Sequence, residues 1–145
     1  MNKKVFFEHP VSFLAEYIDF RIEGSYFTVN GMYEFLNRTD QPVNAGILFP
    51  FALPAAMIDS IGAVYLNEAG RIAWKKRERD IVFYLSLNPS DTVTIQLYYR
   101  QPLAGINSYV LTSGRSRDAP LKKAVYTLTT DKEIPDHGLK LQNIP

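Results

Sequence analysis

Two histidines, His9 and His137, stand near opposite ends of a 145-residue chain that has no cysteine. A zinc site needs three or four nitrogen, sulfur or carboxylate ligands at close spacing, so this pair reads as surface or end-tethering histidines. Without cysteine there is no thiol nucleophile. A Ser-His-acid triad would have to recruit one of these two histidines, and neither adjoins a Gly-x-Ser-x-Gly elbow. Ser113-Gly114-Arg115-Ser116-Arg117 offers backbone donors and guanidinium forks to a phosphate or sulfate, but without the strand-to-helix context of a phosphate loop. Carboxylate pairs for glycoside hydrolysis meet in space rather than in order, and Asp19, Glu23 and Glu34 fall at positions that read as solvated strand faces. Tyr98 beside Tyr99 must send one ring outward from a regular strand. With Tyr84 and Tyr126 these rings could stack on a sugar or form cross-strand packing pairs. Asn37-Arg38-Thr39 matches a glycosylation sequon, which has meaning in a eukaryotic secretory protein. No catalytic constellation emerges, so the expectation is a protein that is not an enzyme, with no cofactor and no metal.

Charge is the other candidate chemistry. Lys and Arg number 16 against 15 Asp and Glu, for a formal charge of +1, yet the distribution is uneven. The first 60 residues hold four basic and seven acidic groups, net −3, and residues 71–123 hold ten and four, net +6. Arg71, Lys75, Lys76, Arg77 and Arg79 form one basic cluster; Arg115, Arg117, Lys122 and Lys123 form another. Nucleic-acid binding would interleave such residues with exposed aromatics, and Trp74 alone lies inside either cluster. The expected contacts are a protein partner or other domains of a larger protein, made through the basic half at Arg71, Lys75, Lys76, Arg77, Arg79, Arg115 and Arg117. Peripheral contact with an anionic membrane is a second outlet for the same charge. Solvated loops whose charge keeps strand edges apart are the plain alternative.

The elements that must position these groups are strands. Apolar residues make up 46% and aromatics 13%, enough for one domain with its own core. Ile18, Phe20 and Ile22 alternate with charged residues, as do Ile81 to Leu87 and Val93 to Tyr99 with polar ones, the period of two of half-buried strands. Asn88-Pro89-Ser90-Asp91 supplies turn chemistry between the last two and predicts an antiparallel hairpin. Asn30-Gly31 is a hairpin dipeptide, but Phe27, Val29, Tyr33 and Phe35 keep one parity through it. That favours one long strand with Gly31 as a bulge or close-packing point. Pro50 and Pro54 bracket an irregular crossing that fits a strand leaving one sheet for another. Met57 to Leu66 reads as a strand, followed by a hairpin into Arg71 to Lys75. Ile72 and Trp74 share a parity there, so the Trp74 ring is expected to pack against the body of the domain. Tyr109 to Thr112 and Val125 to Thr129 read as late strands, residues 131–145 as coil or a terminal strap, and Val11 to Glu16 as a short helical candidate. The fold class is therefore all-β: an antiparallel two-sheet β-sandwich, immunoglobulin-like in kind, with a closed β-barrel as the alternative.

The run Ile18-Asp19-Phe20-Arg21-Ile22-Glu23-Gly24, then Tyr33-Glu34-Phe35-Leu36-Asn37, Thr39-Asp40-Gln41-Pro42-Val43 and Leu48-Phe49-Pro50-Phe51, resembles the opening of vault protein inter-alpha-trypsin (VIT) domains. Asp80 to Leu87, Asn88-Pro89-Ser90-Asp91 and Val93 to Leu103 are similar to their closing hairpin, so the resemblance covers residues 17–103. The family's Ala- and Glu-rich stretch before that hairpin is replaced here by Arg71 to Arg79, and no von Willebrand A domain follows within the chain. The resemblance implies a VIT-like sandwich, often exported, in contact with other proteins or domains, and it carries over no catalytic residue.

The resulting expectation is a non-enzymatic interaction or structural module, the soluble domain of an exported or envelope-associated protein. A small-ligand-binding β-barrel carrier and a carbohydrate-binding or hydrolytic domain are the alternatives. Val5-Phe6-Phe7 is too short for the apolar region of a secretion signal, and no stretch is long and apolar enough to span a membrane. An extracytoplasmic setting is expected, with the cytoplasm as the alternative.

Overall fold

The computed structural model describes residues 10–66, 70–111, 122–131 and 137–143. Ten strands follow in chain order: β1 (Val11–Glu23), β2 (Tyr26–Asn37), β3 (Val43–Pro50), β4 (Asp59–Tyr65), β5 (Trp74–Lys76), β6 (Asp80–Leu87), β7 (Thr92–Pro102), β8 (Ile106–Leu111), β9 (Lys123–Thr130) and β10 (Gly138–Asn143). Helix among the described residues is confined to a 3-10 turn at Ala55–Met57. Sheet order is β4-β7-β2-β1-β9 for the large sheet, β3-β6-β5 for the one opposite and β10-β8 for a two-stranded flap; none closes into a barrel. The fold is an all-β sandwich.

Alternation builds the core. In the large sheet Phe20 pairs with Val29, and Val29 with Tyr99, so the even positions of β1 and the odd positions of β2 and β7 share the inner face. Ile18, Phe20, Ile22, Phe27, Val29, Tyr33, Ile95, Leu97 and Tyr99 are all buried there. Ala45, Phe49, Ile81, Phe83, Leu85 and Leu87 face them from β3 and β6. Asn30-Gly31 lies inside an unbroken β2, as parity requires. Gly31 is a close-packing point: a Cβ there would stand 2.5 Å from the Tyr33 ring. That ring is held in turn by a 2.8 Å hydrogen bond between the Tyr33 and Tyr109 hydroxyls.

Several expectations need correction. Val11 to Glu16 is strand, because β1 runs on through a register slip between Phe13 and Ala15. β6 and β7 are not a hairpin: β6 pairs with β3 and β5, β7 with β2 and β4. Residues 88–91 instead arch from one sheet to the other. Two alternating strands have apolar faces that can lie side by side or face each other across a core, and alternation cannot distinguish these arrangements. The arch is held by Asn37, which is fully buried. Its Nδ2 donates to the carbonyls of Gln41 (2.7 Å), Leu87 (3.4 Å) and Asn88 (3.0 Å), and its Oδ1 accepts from the Thr39 amide and hydroxyl. The sequon nitrogen is thus consumed by the fold.

The hairpin expected after β4 shrinks to one bridge, Val64 to Arg71, before the chain crosses to β6. Trp74 belongs to the three-residue β5 and is 38% exposed. It keeps the core-side parity of Ile72, since it pairs with the inward Phe83, but β5 is the edge of its sheet and the ring is covered only in part. Residues 138–143, expected as coil or strap, form β10 parallel to β8, and β9 runs parallel to β1, so the sandwich is antiparallel except at these two pairings.

Phe49 contacts the rings of Tyr33, Phe51, Tyr99 and Tyr109 at centroid distances of 5.7, 5.8, 5.9 and 6.2 Å. Replacing Phe49 by Ala should cost about 3 to 5 kcal/mol in urea unfolding. Asn37→Ala, which leaves buried carbonyls without a donor, should cost about 2 to 4 kcal/mol, whereas Asn37→Asp keeps only the acceptor half and should recover little of that loss.

Candidate functional site

The basic cluster predicted from sequence is dispersed. Lys75 and Lys76 are adjacent on β5 and point to opposite faces, since Lys75 pairs with Val82 and Lys76 with the inward Ile81. Lys76 Nζ donates to the Ile58 carbonyl at 2.8 Å, closing the exit of the 3-10 turn. Arg77 lies 3.0 Å from Asp80, and Arg79 Nη2 reaches the Ala52 carbonyl at 3.5 Å. Arg71 sits at the isolated bridge to β4 and is exposed. Arg115 and Arg117 lie outside the described residues, as does His9. His137 Nδ1 donates to the Ala104 carbonyl at 3.0 Å, the tethering role expected of it. Asp19 and Glu23 form exposed ion pairs with Arg21. No group of three or more His, Asp or Glu among the described residues is placed to hold a metal, and none of their helices is long and apolar enough to cross a membrane.

Two arrangements have chemical character. The first is the outer face of β3-β6-β5. Gly46 pairs with Tyr84 and Leu48 with Val82, and Val82 pairs on its other side with Lys75. The Tyr84 ring leans over Gly46, where a Cβ would meet it at 3.5 Å. Tyr84 is 53% and Leu48 48% exposed. Asn44 Oδ1 accepts from Ser86 Oγ at 2.8 Å along one border, and Lys75 stands on the other. The result is a flat apolar strip with a cation at its rim. Of the tyrosines considered for stacking, Tyr84 faces outward here, Tyr98 lies on the outer face of the large sheet, and Tyr99 is in the core.

The second arrangement was not anticipated as a site. Glu16 is fully buried. Its Oε1 accepts from the Tyr126 hydroxyl at 2.6 Å, and its Oε2 has no hydrogen-bond partner. Burial raises its pKa, a rise only partly offset by the Tyr126 bond. Its neighbours are phenols: Tyr33 and Tyr109 are themselves pushed up, chiefly by burial, and Tyr126 likewise. The signal was present in the sequence, because continuing the even parity of Ile22, Phe20 and Ile18 one step back places Glu16 on the core face. The carboxyl is a buried structural group that holds its proton to higher pH than an exposed one.

No family model matches the chain, and no curated protein matches it in sequence. Among solved structures, the chain is similar to a candidate nutrient-binding protein from Legionella pneumophila, with a TM-score of 0.52 and 15% identity over 66% of this chain and 40% of that one. It is also similar to an M1 zinc metallopeptidase from Deinococcus radiodurans, with a TM-score of 0.47 and 13% identity over 66% of this chain and 21% of that one. At these identities the first likeness shows a shared fold, and the chain spans less than half the length of either protein.

The Glu16 environment has a definite pH signature. The folded carboxyl keeps its proton to higher pH than the unfolded one, whose pKa is about 4.3. The stability it contributes is therefore complete below that value and is lost as pH rises through the folded pKa. Glu16→Gln keeps the shape and the acceptor for Tyr126 without the ionisation. It should match the wild type in urea denaturation at about pH 4 and exceed it at pH ~7. Equal pH dependence in the two proteins would contradict a raised Glu16 pKa.

Proposed function

We propose that the chain is a non-enzymatic interaction module whose contact surface is the outer face of β3-β6-β5. The observation that carries this reading is the exposure of Leu48 and Tyr84 side by side, with Lys75 at their rim. Apolar side chains on an outer sheet face, bordered by a cation, suit a protein partner that offers an apolar surface edged by carboxylates. The interior supports the same reading from the other side. The rings around Phe49 pack against one another in the interior, which favours a filled core over the cavity a carrier needs. The Legionella protein's description as nutrient-binding is the nearest support for the carrier alternative, and its likeness is one of fold alone.

The resemblance to VIT domains supports a partner that is another protein or another domain of the same protein, and an exported setting. The surface combines residues from both halves of the chain, Leu48 from the acidic part and Val82, Tyr84 and Lys75 from the basic part.

A photo-crosslinking residue at position 84, expressed in the cell of origin, should yield one defined protein adduct, whereas the same residue at position 98 should not. Leu48→Ser and Lys75→Glu should each reduce that adduct several-fold without lowering the melting temperature by more than a few degrees. An adduct at position 84 indifferent to both substitutions, or none at all, would overturn the reading.

A further inference from the structure

Unpaired sheet edges invite pairing with another chain, and folded proteins guard them with prolines, bulges, charges or brevity. Most outer strands here are guarded. β3 has Pro42 just before it and Pro50 at its end. β4 slips register between Asp59 and Gly62, places Ser60 at φ 56°, and is accompanied by Gly70 to Ile72 through the bonds from Tyr65 N to Gly70 O and from Ile72 N to Ala63 O. β5 is three residues long and carries two lysines, and β10 carries Lys140.

Among the described residues β9 has none of these devices beyond one lysine at its start. It is eight residues long, ends the large sheet, and runs against β1 without a slip from Ala15-Lys123 to Ile22-Thr130. Its sequence, Lys123-Ala124-Val125-Tyr126-Thr127-Leu128-Thr129-Thr130, has no proline or glycine and is rich in β-branched residues. Val125 and Leu128 are exposed on opposite faces. Leu128 shares the parity of Tyr126, which is directed at Glu16, so apolar surface on the core side continues to the very edge.

We propose that β9 pairs antiparallel with β9 of a second copy about a twofold axis at Thr127, joining two five-stranded sheets into one of ten. A twofold axis perpendicular to the sheet requires directly opposed residues to share a face, so the paired numbers must sum to an even value. Centred on Thr127, the register sets Tyr126 against the partner copy's Leu128 on the core side and Val125 against Thr129 on the outer side. Each Lys123 then opposes Asp131, the exposed residue that follows β9. The strand's single charge thereby meets its complement twice, once at each end of the interface. A register centred one residue earlier would oppose Lys123 to Thr129 and lose both pairs. Cross-strand opposition of unlike charges and of an aromatic with an aliphatic residue favours the first register, and isologous pairing closes the assembly at two copies. This goes beyond the contact surface proposed above, which lies on the other sheet, so either can fail while the other stands.

Sedimentation velocity over a two-decade concentration range tests the pairing on the full chain. The wild type should show a reversible monomer–dimer equilibrium. Lys123→Asp and Asp131→Lys, each placing like charges opposite one another twice, should weaken the dimer roughly tenfold. The double exchange Lys123→Asp with Asp131→Lys should restore it to within about twofold. Circular dichroism of each variant identifies any that has lost its fold. A wild type that stays monomeric, or a dimer that folded single variants leave unchanged, would overturn the proposal. A dimer weakened by the single variants but not restored by the double would overturn the register and with it the axis at Thr127.

Discussion

Phe49 is the point at which three sheets share one interior. It comes from β3, yet its ring touches Tyr33 on β2, Tyr99 on β7 and Tyr109 on β8. Edge-to-face contacts favour particular relative orientations where aliphatic packing would accept many, so this one ring constrains how the sheets lie on each other. The constraint extends in both directions. Gly31 leaves room for the Tyr33 ring to lie along β2. In that position Tyr33 reaches the Tyr109 hydroxyl, which helps fix β8, and β8 carries β10. On the other side, Pro50 ends the β3 ladder directly after Phe49. The chain is released through Phe51, whose ring also packs on Tyr99, toward β4 in the opposite sheet.

The parts of this arrangement legible in the sequence are those set by local periodicity. Ile18 to Ile22, Ile81 to Leu87 and Val93 to Tyr99 declare their buried faces by alternation, and the parity of Phe27 to Phe35 identifies β2 as unbroken despite Asn30-Gly31. What alternation does not encode is which strand lies beside which. The arch between β6 and β7 is held by Asn37, some fifty positions from its Leu87 and Asn88 partners. Its role depends on contacts that exist only after folding. β5 shows a related limit: parity places Trp74 on the core side with Ile72, opposite Phe83, but does not tell that β5 is the edge of its sheet, where the ring is only partly covered.

The candidate sites divide in the same way. Glu16 was readable as a carboxyl at a core position once the parity of β1 is carried back past Tyr17. Charge density along the chain was misleading, because adjacent strand residues face opposite ways. Lys75 and Lys76 go to different faces, while Arg77 and Arg79 are occupied by Asp80 and by the Ala52 carbonyl. The outer strip of Leu48, Val82 and Tyr84 requires the pairing of β3 with β6, which no local pattern specifies.

The two parallel strands show why buried polar groups stand where they do. β9 and β10 join the sandwich late in the chain, and parallel pairing is slightly weaker per residue than antiparallel. β9 is largely exposed on both faces. Apolar burial is non-directional, and a strand that buries little is poorly defended against a one-residue slip, which would exchange its faces. Each of these strands is met by a buried polar side chain from the strand it joins. Glu16 accepts from Tyr126 of β9, and Asn107 donates to the Gly138 carbonyl at the start of β10 while its amide group also satisfies both backbone groups of Ala104. A hydrogen bond of this kind has a single partner at a single spacing, so it selects a register that thin packing leaves open. The desolvation of Glu16 thus has a structural return: in a slipped β9 the Tyr126 hydroxyl would leave Oε1, and a second carboxyl oxygen would be buried without a partner, at the cost of an unsatisfied group.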